Sequence, residues 1–441
     1  MSSSHIVIRN VRPLDAAPID IEICDGRIRT LNTADAASGT THNDAEVLDG
    51  EGCILLPGLV DLHTHLREPG REDAETIATG CDAAALGGFT AVHAMANTAP
   101  VADTAGVVEQ VWRLGQATGR CDVFPVGAVT VGLQGERLAE LESMASCAAH
   151  VRVFSDDGVC VSDAVLMRRA LEYVKVFGGV IAQHAQEPRL TEGAQMNEGA
   201  LSAELGLPGW PSVAEEAIIA RDVLLAEHVD SRLHVCHLST RGSVEIVRWA
   251  KQRGINVTAE VTPHHLILTE DLARSYDPIY KVNPPLRTAD DVQAVREGLA
   301  DGTIDIVATD HAPHPHEAKD CEWSAGAFGM LGLQTALGIV VETMMNHPGA
   351  SSSRLDWQGI ADRMSVIPAR IGGVQAEHGR PIAVGEPANL VVVDPQRPWT
   401  VDPARLASLS RNTPYTGMTM PVSVRATMLR GHFTVVDGHL S

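Results

Sequence analysis

The sequence predicts an α/β chain: a TIM-like (β/α)8 barrel with a small β-sandwich domain built from both chain termini. Between residues 59 and 311, eight apolar β-like runs alternate with segments of helical periodicity, the order a closed parallel barrel requires. The residues before and after that stretch read as strands and tight turns. Polar residues suited to metal binding recur at the ends of the runs, where barrel enzymes carry their chemistry. The expected limits are 1–56 and 376–441 for the two parts of the small domain and 57–375 for the barrel.

At the N-terminal end, Ile6 and Ile8 alternate with other residues. Ile19–Glu22 then leads through Asp25-Gly26 into Arg27-Ile28, a hairpin signal. Residues 32–46 are polar and rich in Ala, Ser and Thr, which predicts an exposed loop. Asp49-Gly50 turns the chain into Ile54–Leu56 and on to the stretch PGLVDLHTHLREPG, residues 57–70. There His63 and His65 alternate with apolar neighbours, so a strand projects both from one face. Two imidazoles so placed can chelate one metal ion.

The eight runs are 59–66, 88–97, 122–130, 150–157, 180–186, 232–239, 257–264 and 305–311. Between them, Ser162 is positioned to cap a helix with the stripe Leu166, Ala170, Tyr173, Val174 and Phe177, closed by Gly178-Gly179. Ser212 and Glu215 have capping-box spacing, and Ile246, Val247 and Ala250 share a helix face that ends at Gly254. Helical patterns follow near 330–345 and 357–373. Strand character then returns at Asn389–Val393, Ser423–Leu429 and Thr434–Val436, with Asp437-Gly438 as a turn.

The 441 residues are 44% hydrophobic and 20% charged, which suits a globular protein with a large core. Aromatics contribute only 4%, so that core rests on Val, Leu, Ile and Ala. A formal charge of −22 leaves nothing generally basic to neutralise phosphates, which argues against nucleic acid or an anionic membrane as partner. No apolar stretch approaches the roughly 20 residues that cross a bilayer, and the opening residues lack the pattern of a secretory signal. Eight scattered cysteines without a C-x-x-C pair read as reduced thiols. A cytoplasmic protein is expected.

The chemistry collects at the run ends: His63 and His65, Asn97, Asp156-Asp157, His184, His237, then Asp310-His311 and His314. Four imidazoles and at least two carboxylates converging on one rim make a metal site. Nitrogen and oxygen donors with an open position suit Zn2+, which lowers the pKa of a water to about 7. His63 and His65 are expected to hold one ion and His184 and His237 a second, with a carboxylate between them. Asp310 suits a general base and acid. Asp156 and Asp157 are both candidates for the carboxylate between the two ions.

DLHTHLREPG, the FSDDG segment, VNPPLR (282–287) and ATDHAPH (308–314) resemble the dihydroorotases of the long bacterial type, within the cyclic amidohydrolases. The resemblance spans nearly the whole chain. It implies reversible cyclisation of N-carbamoyl-L-aspartate to L-dihydroorotate plus water, a step of pyrimidine synthesis. It implies His63, His65, Asp157, His184, His237 and Asp310 as metal ligands, with Asp310 also the catalytic acid and base. His65, Arg67, Asn97, Asn283, His314, Phe328 and Gly329 are the implied substrate contacts. Asp157 is preferred over Asp156 because its distance to His184 matches the family pattern. One or two zinc ions are expected, two by preference. A homodimer and an association with aspartate carbamoyltransferase are the partner expectations. Segment 314–329, polar with Gly326 and Gly329 near its end, is expected to be a lid. Two other readings use the same barrel: a hydantoinase or allantoinase, and a non-catalytic scaffold for aspartate carbamoyltransferase.

Overall fold

A computed structural model describes residues 5–33, 45–346 and 354–441. The eight expected barrel strands are all present: β1 (Leu59–Thr64), β2 (Phe89–Ala94), β3 (Asp122–Pro125), β4 (Val153–Phe154), β5 (Val180–Gln183), β6 (Leu233–Val235), β7 (Val257–Val261) and β8 (Ile306–Val307). β1 to β3 form one parallel sheet and β4 to β8 another. Parallel bridges Gly127–Phe154 and Thr64–His311 join the two sheets at both seams, so the ring closes. The strands are shorter than the apolar runs. At the rim the chain diverges into loops and loses its lateral partners, so ladder hydrogen bonds stop before hydrophobicity does.

Val, Leu, Ile and Ala fill the main core between the strands and their helices. A smaller cluster of Met95, Val126, Val153, Val180, Ala182 and Cys236 spans β2 to β6 and lines the barrel interior. Two helix starts differ from the sequence expectation. Helix Ala164–Val174 is capped by Asp163, whose carboxylate accepts from Val165 N and Leu166 N, and not by Ser162. Its buried stripe is Met167, Ala170, Leu171 and Val174, while Tyr173 is exposed. Helix Val213–Val229 starts after Ser212 without a side-chain cap. Glu215 is instead drawn across to Ser239 and Thr240, where buried backbone N–H groups need an acceptor. Helix Arg241–Gln252 does bury Val247 and Ala250, as its spacing predicts.

Both chain ends meet in one nine-stranded sheet. The hairpin Ile19–Cys24 to Arg27–Thr33 turns on Asp25-Gly26, both at positive φ. His5–Pro13 pairs with Glu46–Asp49 through residues 6–9 and with Ile54–Pro57 through Arg12 and Pro13. A register shift between Ile8 and Val11 lets this strand pass from one layer to the other. Leu390–Asp394, Ser423–Leu429 and His432–Val436 complete the second layer. Ile6, Ile21, Ile23, Leu55, Leu390, Val392 and Met428 pack between the layers as a separate core. Most of the predicted polar loop, residues 34–44, lies outside the described residues. Among the described residues no helix is long and apolar enough to cross a membrane.

Candidate metal centre

The polar residues picked out at the strand ends come together at the carboxyl rim of the barrel. His63 lies within β1 and His65 follows it. His184 directly follows β5, and His237 is two residues beyond β6. Asp157 and Asp310 each sit three residues past β4 and β8. Arg67, His237 and Asp310 adopt positive φ (63°, 31° and 46°). Non-glycine residues rarely do so, and such strain concentrates where side chains are held for function.

Asp157 stands at the middle of the cluster. Its Oδ1 is 3.4 Å from His63 Nε2, 3.2 Å from His184 Nδ1 and 3.4 Å from His237 Nε2, and its Oδ2 is 3.3 Å from His65 Nε2. Asp310 Oδ1 lies 3.1 Å from His65 Nε2 and 3.6 Å from His63 Nε2. Asp156 turns the other way and accepts from Val129 N, Thr130 N and the Thr130 hydroxyl. The geometry thus separates two adjacent acids that sequence pattern alone leaves open. His311 also points away, toward Glu75 at 3.3 Å.

Hydrogen bonds on the far side of each ring decide which nitrogen is free. His63 Nδ1 faces Glu260 Oε1 at 2.6 Å, His65 Nδ1 faces Asn97 Oδ1 at 2.9 Å, and His184 Nε2 faces Gln186 Oε1 at 2.7 Å. Each of these oxygens only accepts, so each facing nitrogen carries the hydrogen. The opposite nitrogens, His63 Nε2, His65 Nε2 and His184 Nδ1, point into the cluster, where each can serve a metal ion once its proton leaves. His237 Nε2 comes within 2.8 Å of His184 Nδ1. At that distance one ring donates a hydrogen bond to the other, a proton standing where both nitrogens could otherwise turn to a metal ion. His63 Nε2 and Asp157 Oδ1 are buried without any hydrogen-bond partner, a costly state for polar atoms in a protein interior.

The donor set fits a metal. Two atoms bound tetrahedrally to one ion at about 2.1 Å lie about 3.4 Å apart, close to the separations around Asp157. Among the described residues three trios satisfy a common-ligand spacing, and two of them meet at Asp157: His63 with His65 and Asp157, and Asp157 with His184 and His237. Electrostatics agree. Burial opposes a charge on His63, but the facing Asp157 and Glu260 carboxylates outweigh it and hold its pKa well above the ordinary imidazole value. Burial likewise opposes ionisation of Asp310, yet the hydrogen bond with His65 and the imidazoles of His63, His65 and His237 bring it down to about 2. The pocket thus demands positive charge among its imidazoles, a role that either protons or metal ions can fill.

The expected substrate contacts ring this centre. Arg67 Nε donates to Pro313 O at 3.0 Å, and its Nη2 lies 3.5 Å from His314 Nε2. His314 Nε2 meets Phe328 O at 2.7 Å. Asn97 backs His65, and Asn283 Nδ2 donates to Gln186 Oε1 at 3.1 Å while its own Oδ1 stays unpartnered. At Gly329, φ is 140° and a Cβ would come within 2.7 Å of Ala312 and His314, so the chain passes His314 at a distance only glycine permits. Segment 314–329 is pinned from behind. Lys319 Nζ donates to the carbonyls of Pro278, Lys281 and Ala327, and Lys281 Nζ to those of Trp323 and Ser324.

Sequence reasoning missed Glu260, His234, Gln186 and both pinning lysines. A signal for Glu260 does exist: it is the single acid inside the apolar run VTAEV of β7. Charge in a fully buried strand is rare without a partner.

A family model described as dihydro-orotase-like matches residues 52–243. A protein of Streptomyces coelicolor named dihydroorotase is 66% identical over 438 residues, spanning 99% of this chain and 100% of its own length. One from Mycobacterium tuberculosis, of the same name, is 56% identical over 436 residues and 99% of each chain. Among solved structures, L-hydantoinase (dihydropyrimidinase) from Arthrobacter aurescens matches with a TM-score of 0.84 at 24% identity, over 99% of this chain and 97% of that one. That last likeness is one of fold.

Proposed function

This chain belongs to the dihydroorotase family, and from that premise we propose that it interconverts N-carbamoyl-L-aspartate and L-dihydroorotate plus water, the ring-closing step of pyrimidine biosynthesis. The observation that carries the proposal is the convergence of four imidazole rings and two carboxylates on one rim, in a chain 66% identical to a protein named dihydroorotase. The enzyme is metal-dependent. We assign His63, His65, Asp157, His184, His237 and Asp310 as ligands, zinc as the metal, and two ions as the count, with Asp157 between the histidine pairs. When bound, such ions polarise a carbonyl and acidify water.

The chain's own groups do the rest. Asp310, ionised at neutral pH, takes a proton from the attacking water in the ring-opening direction. It returns that proton to the nitrogen freed as the amide C–N bond breaks. In ring closure it removes the proton from the same nitrogen. Arg67 offers a planar pair of donors to the substrate carboxylate, with Asn97, Asn283 and His314 as further contacts and the backbone at Phe328-Gly329 closing over the ring. His65 Nε2 and Asp310 Oδ1 stand 3.1 Å apart, a separation that suits two ligands of one ion.

A spectrophotometric assay of dihydroorotate hydrolysis on purified protein, run beside hydantoin and allantoin, tests the assignment. Turnover of dihydroorotate alone is expected, and preference for hydantoin or allantoin would overturn it. A pure scaffold would turn over none of the three, whereas this chain retains every expected ligand position. Zinc added back to metal-free protein should restore activity until about two equivalents are bound, and saturation at one removes the two-ion assignment.

We also propose that segment 314–329 orders over bound substrate, which its lysine-pinned base and the contact between its two ends, His314 Nε2 and Phe328 O, support. Dihydroorotate should slow protease cleavage within this segment, and equal cleavage with and without it would dispose of the lid. The homodimer and the docking to aspartate carbamoyltransferase belong to the same proposal on resemblance alone, and light scattering with and without the transferase addresses both. A reducing, cytoplasmic setting is supported by the eight cysteines, all free thiols.

A further inference from the structure

The interior of the barrel holds a chain of polar groups that ends on the metal centre, and it is laid down by strand register. His234 in β6 pairs laterally with Thr258 in β7. Glu260 follows two residues later on the same strand and so shares its face. His234 Nδ1 lies 2.9 Å from Thr258 Oγ1, and His234 Nε2 lies 2.9 Å from Glu260 Oε2. The other carboxylate oxygen, Oε1, accepts from His63 Nδ1 at 2.6 Å and from the backbone N–H of His237 at 3.2 Å. Glu260 is wholly buried. One carboxylate therefore touches a ligand from each half of the centre: the ring of His63 and the backbone that aims His237.

We propose that Glu260 is a positioning residue for the metal centre, fixing His63 with Nε2 free toward Asp157 and lending the site negative charge that tightens metal binding. This rests on the metal-dependent reading given above. A carboxylate offers only acceptors, so His63 cannot turn its Nδ1 lone pair toward Glu260 without losing the bond and burying two facing acceptors. Outer-layer carboxylates that hold a ligand histidine in this way typically contribute 10- to 100-fold in metal affinity (about that range across known sites). His234 braces the carboxylate from the opposite side, so Glu260 cannot swing away to become a ligand itself without abandoning His234.

A competing use of the same atoms is a separate metal site made by His63, Cys236 and Glu260, whose donor atoms also lie close together. Positioning and ligation predict different results. Metal-free wild type, Glu260→Gln, Glu260→Asp and Cys236→Ala are titrated with zinc against a chromophoric chelator, with circular dichroism recorded on the same samples. Glu260→Gln keeps shape and one acceptor but removes the charge. It should weaken zinc binding about 10- to 100-fold while the number of ions bound stays the same. Glu260→Asp should recover part of the loss, and Cys236→Ala should bind as wild type does. In imidazole nitrogen NMR spectra of the zinc-loaded protein, His63 should lose its pure Nδ1–H signature in Glu260→Gln.

Wild-type affinity in Glu260→Gln overturns the proposal. So does the loss of one equivalent with the remaining affinity unchanged, because that is the mark of a ligand. If Glu260→Gln does not fold without metal, Glu260→Asp still decides. Its shorter arm cannot reach both His63 and His234, and undiminished affinity there also overturns the proposal. None of these readings uses substrate. Failure of wild type to hydrolyse dihydroorotate would count against the assigned reaction and leave the zinc measurements standing.

Discussion

Replacing Asp310 with alanine is expected to lower turnover of dihydroorotate by about a hundred- to ten-thousand-fold, the usual contribution of a positioned acid–base group, with zinc content nearly unchanged. The separation follows from position. Asp310 approaches the centre from the His65 side, at 3.1 Å from His65 Nε2 and 3.6 Å from His63 Nε2. The four imidazoles and Asp157 remain in place when it is removed. Asp310→Asn sharpens the result, since it keeps the volume and the contact with His65 but cannot take a proton. Both variants should lose kcat far more than KM. Rates measured in both directions, with metal analysis on the same samples, check this. Retained turnover in either variant would remove Asp310 from its assigned role.

Asp157→Ala is expected to fail differently, by losing the metal first and activity as a consequence. Among the described residues Asp157 is the one carboxylate within 3.4 Å of ring nitrogens from all four histidines proposed as ligands. Its carboxyl is fully buried. Burial would raise its pKa, but the His63, His184 and His237 imidazoles outweigh that and hold it well below the ordinary range. Without it, ions held as proposed at the two histidine pairs would face each other with no negative charge between them. Zinc affinity should fall by more than the roughly 100-fold that loss of an outer-layer partner brings. Asp156→Ala offers the contrast. Asp156 braces Val129 and Thr130, so its removal should cost about 1–3 kcal/mol of stability through the unmet buried N–H groups while zinc still binds. Chelator competition and thermal melts on both variants distinguish these outcomes. Equal zinc loss in the two would contradict the geometry.

Much of the site was legible because alternation in a strand is a strong constraint. His63 and His65 had to share a face, and His184, His237 and Asp310 had to fall at strand ends once the eight runs were counted. Helix starts were less legible. Ser162 and Asp163 are both good caps, and only the approach of the helix decided for Asp163. Glu215 has the spacing of a capping box, yet a pair of buried N–H groups across a gap at Ser239 and Thr240 claimed it. Local pattern loses to tertiary demand wherever a buried donor would otherwise be left unpaired.

By itself, the order of residues determined the closed barrel, the strand-rich domain of two chain ends and the inventory of imidazoles and acids at one rim. These follow from periodicity, which is a property of neighbours along the chain. The folded molecule alone decided that Asp157 faces the cluster while Asp156 turns away, which nitrogen of each ring is free, and that Glu260 stands behind His63. Each of those outcomes depends on what lies across the barrel, at separations of 27 residues for Asp156 to Val129 and 197 for His63 to Glu260. The physical reason is that a hydrogen bond is satisfied in space, by whichever partner the closure of the ring brings within about 3 Å.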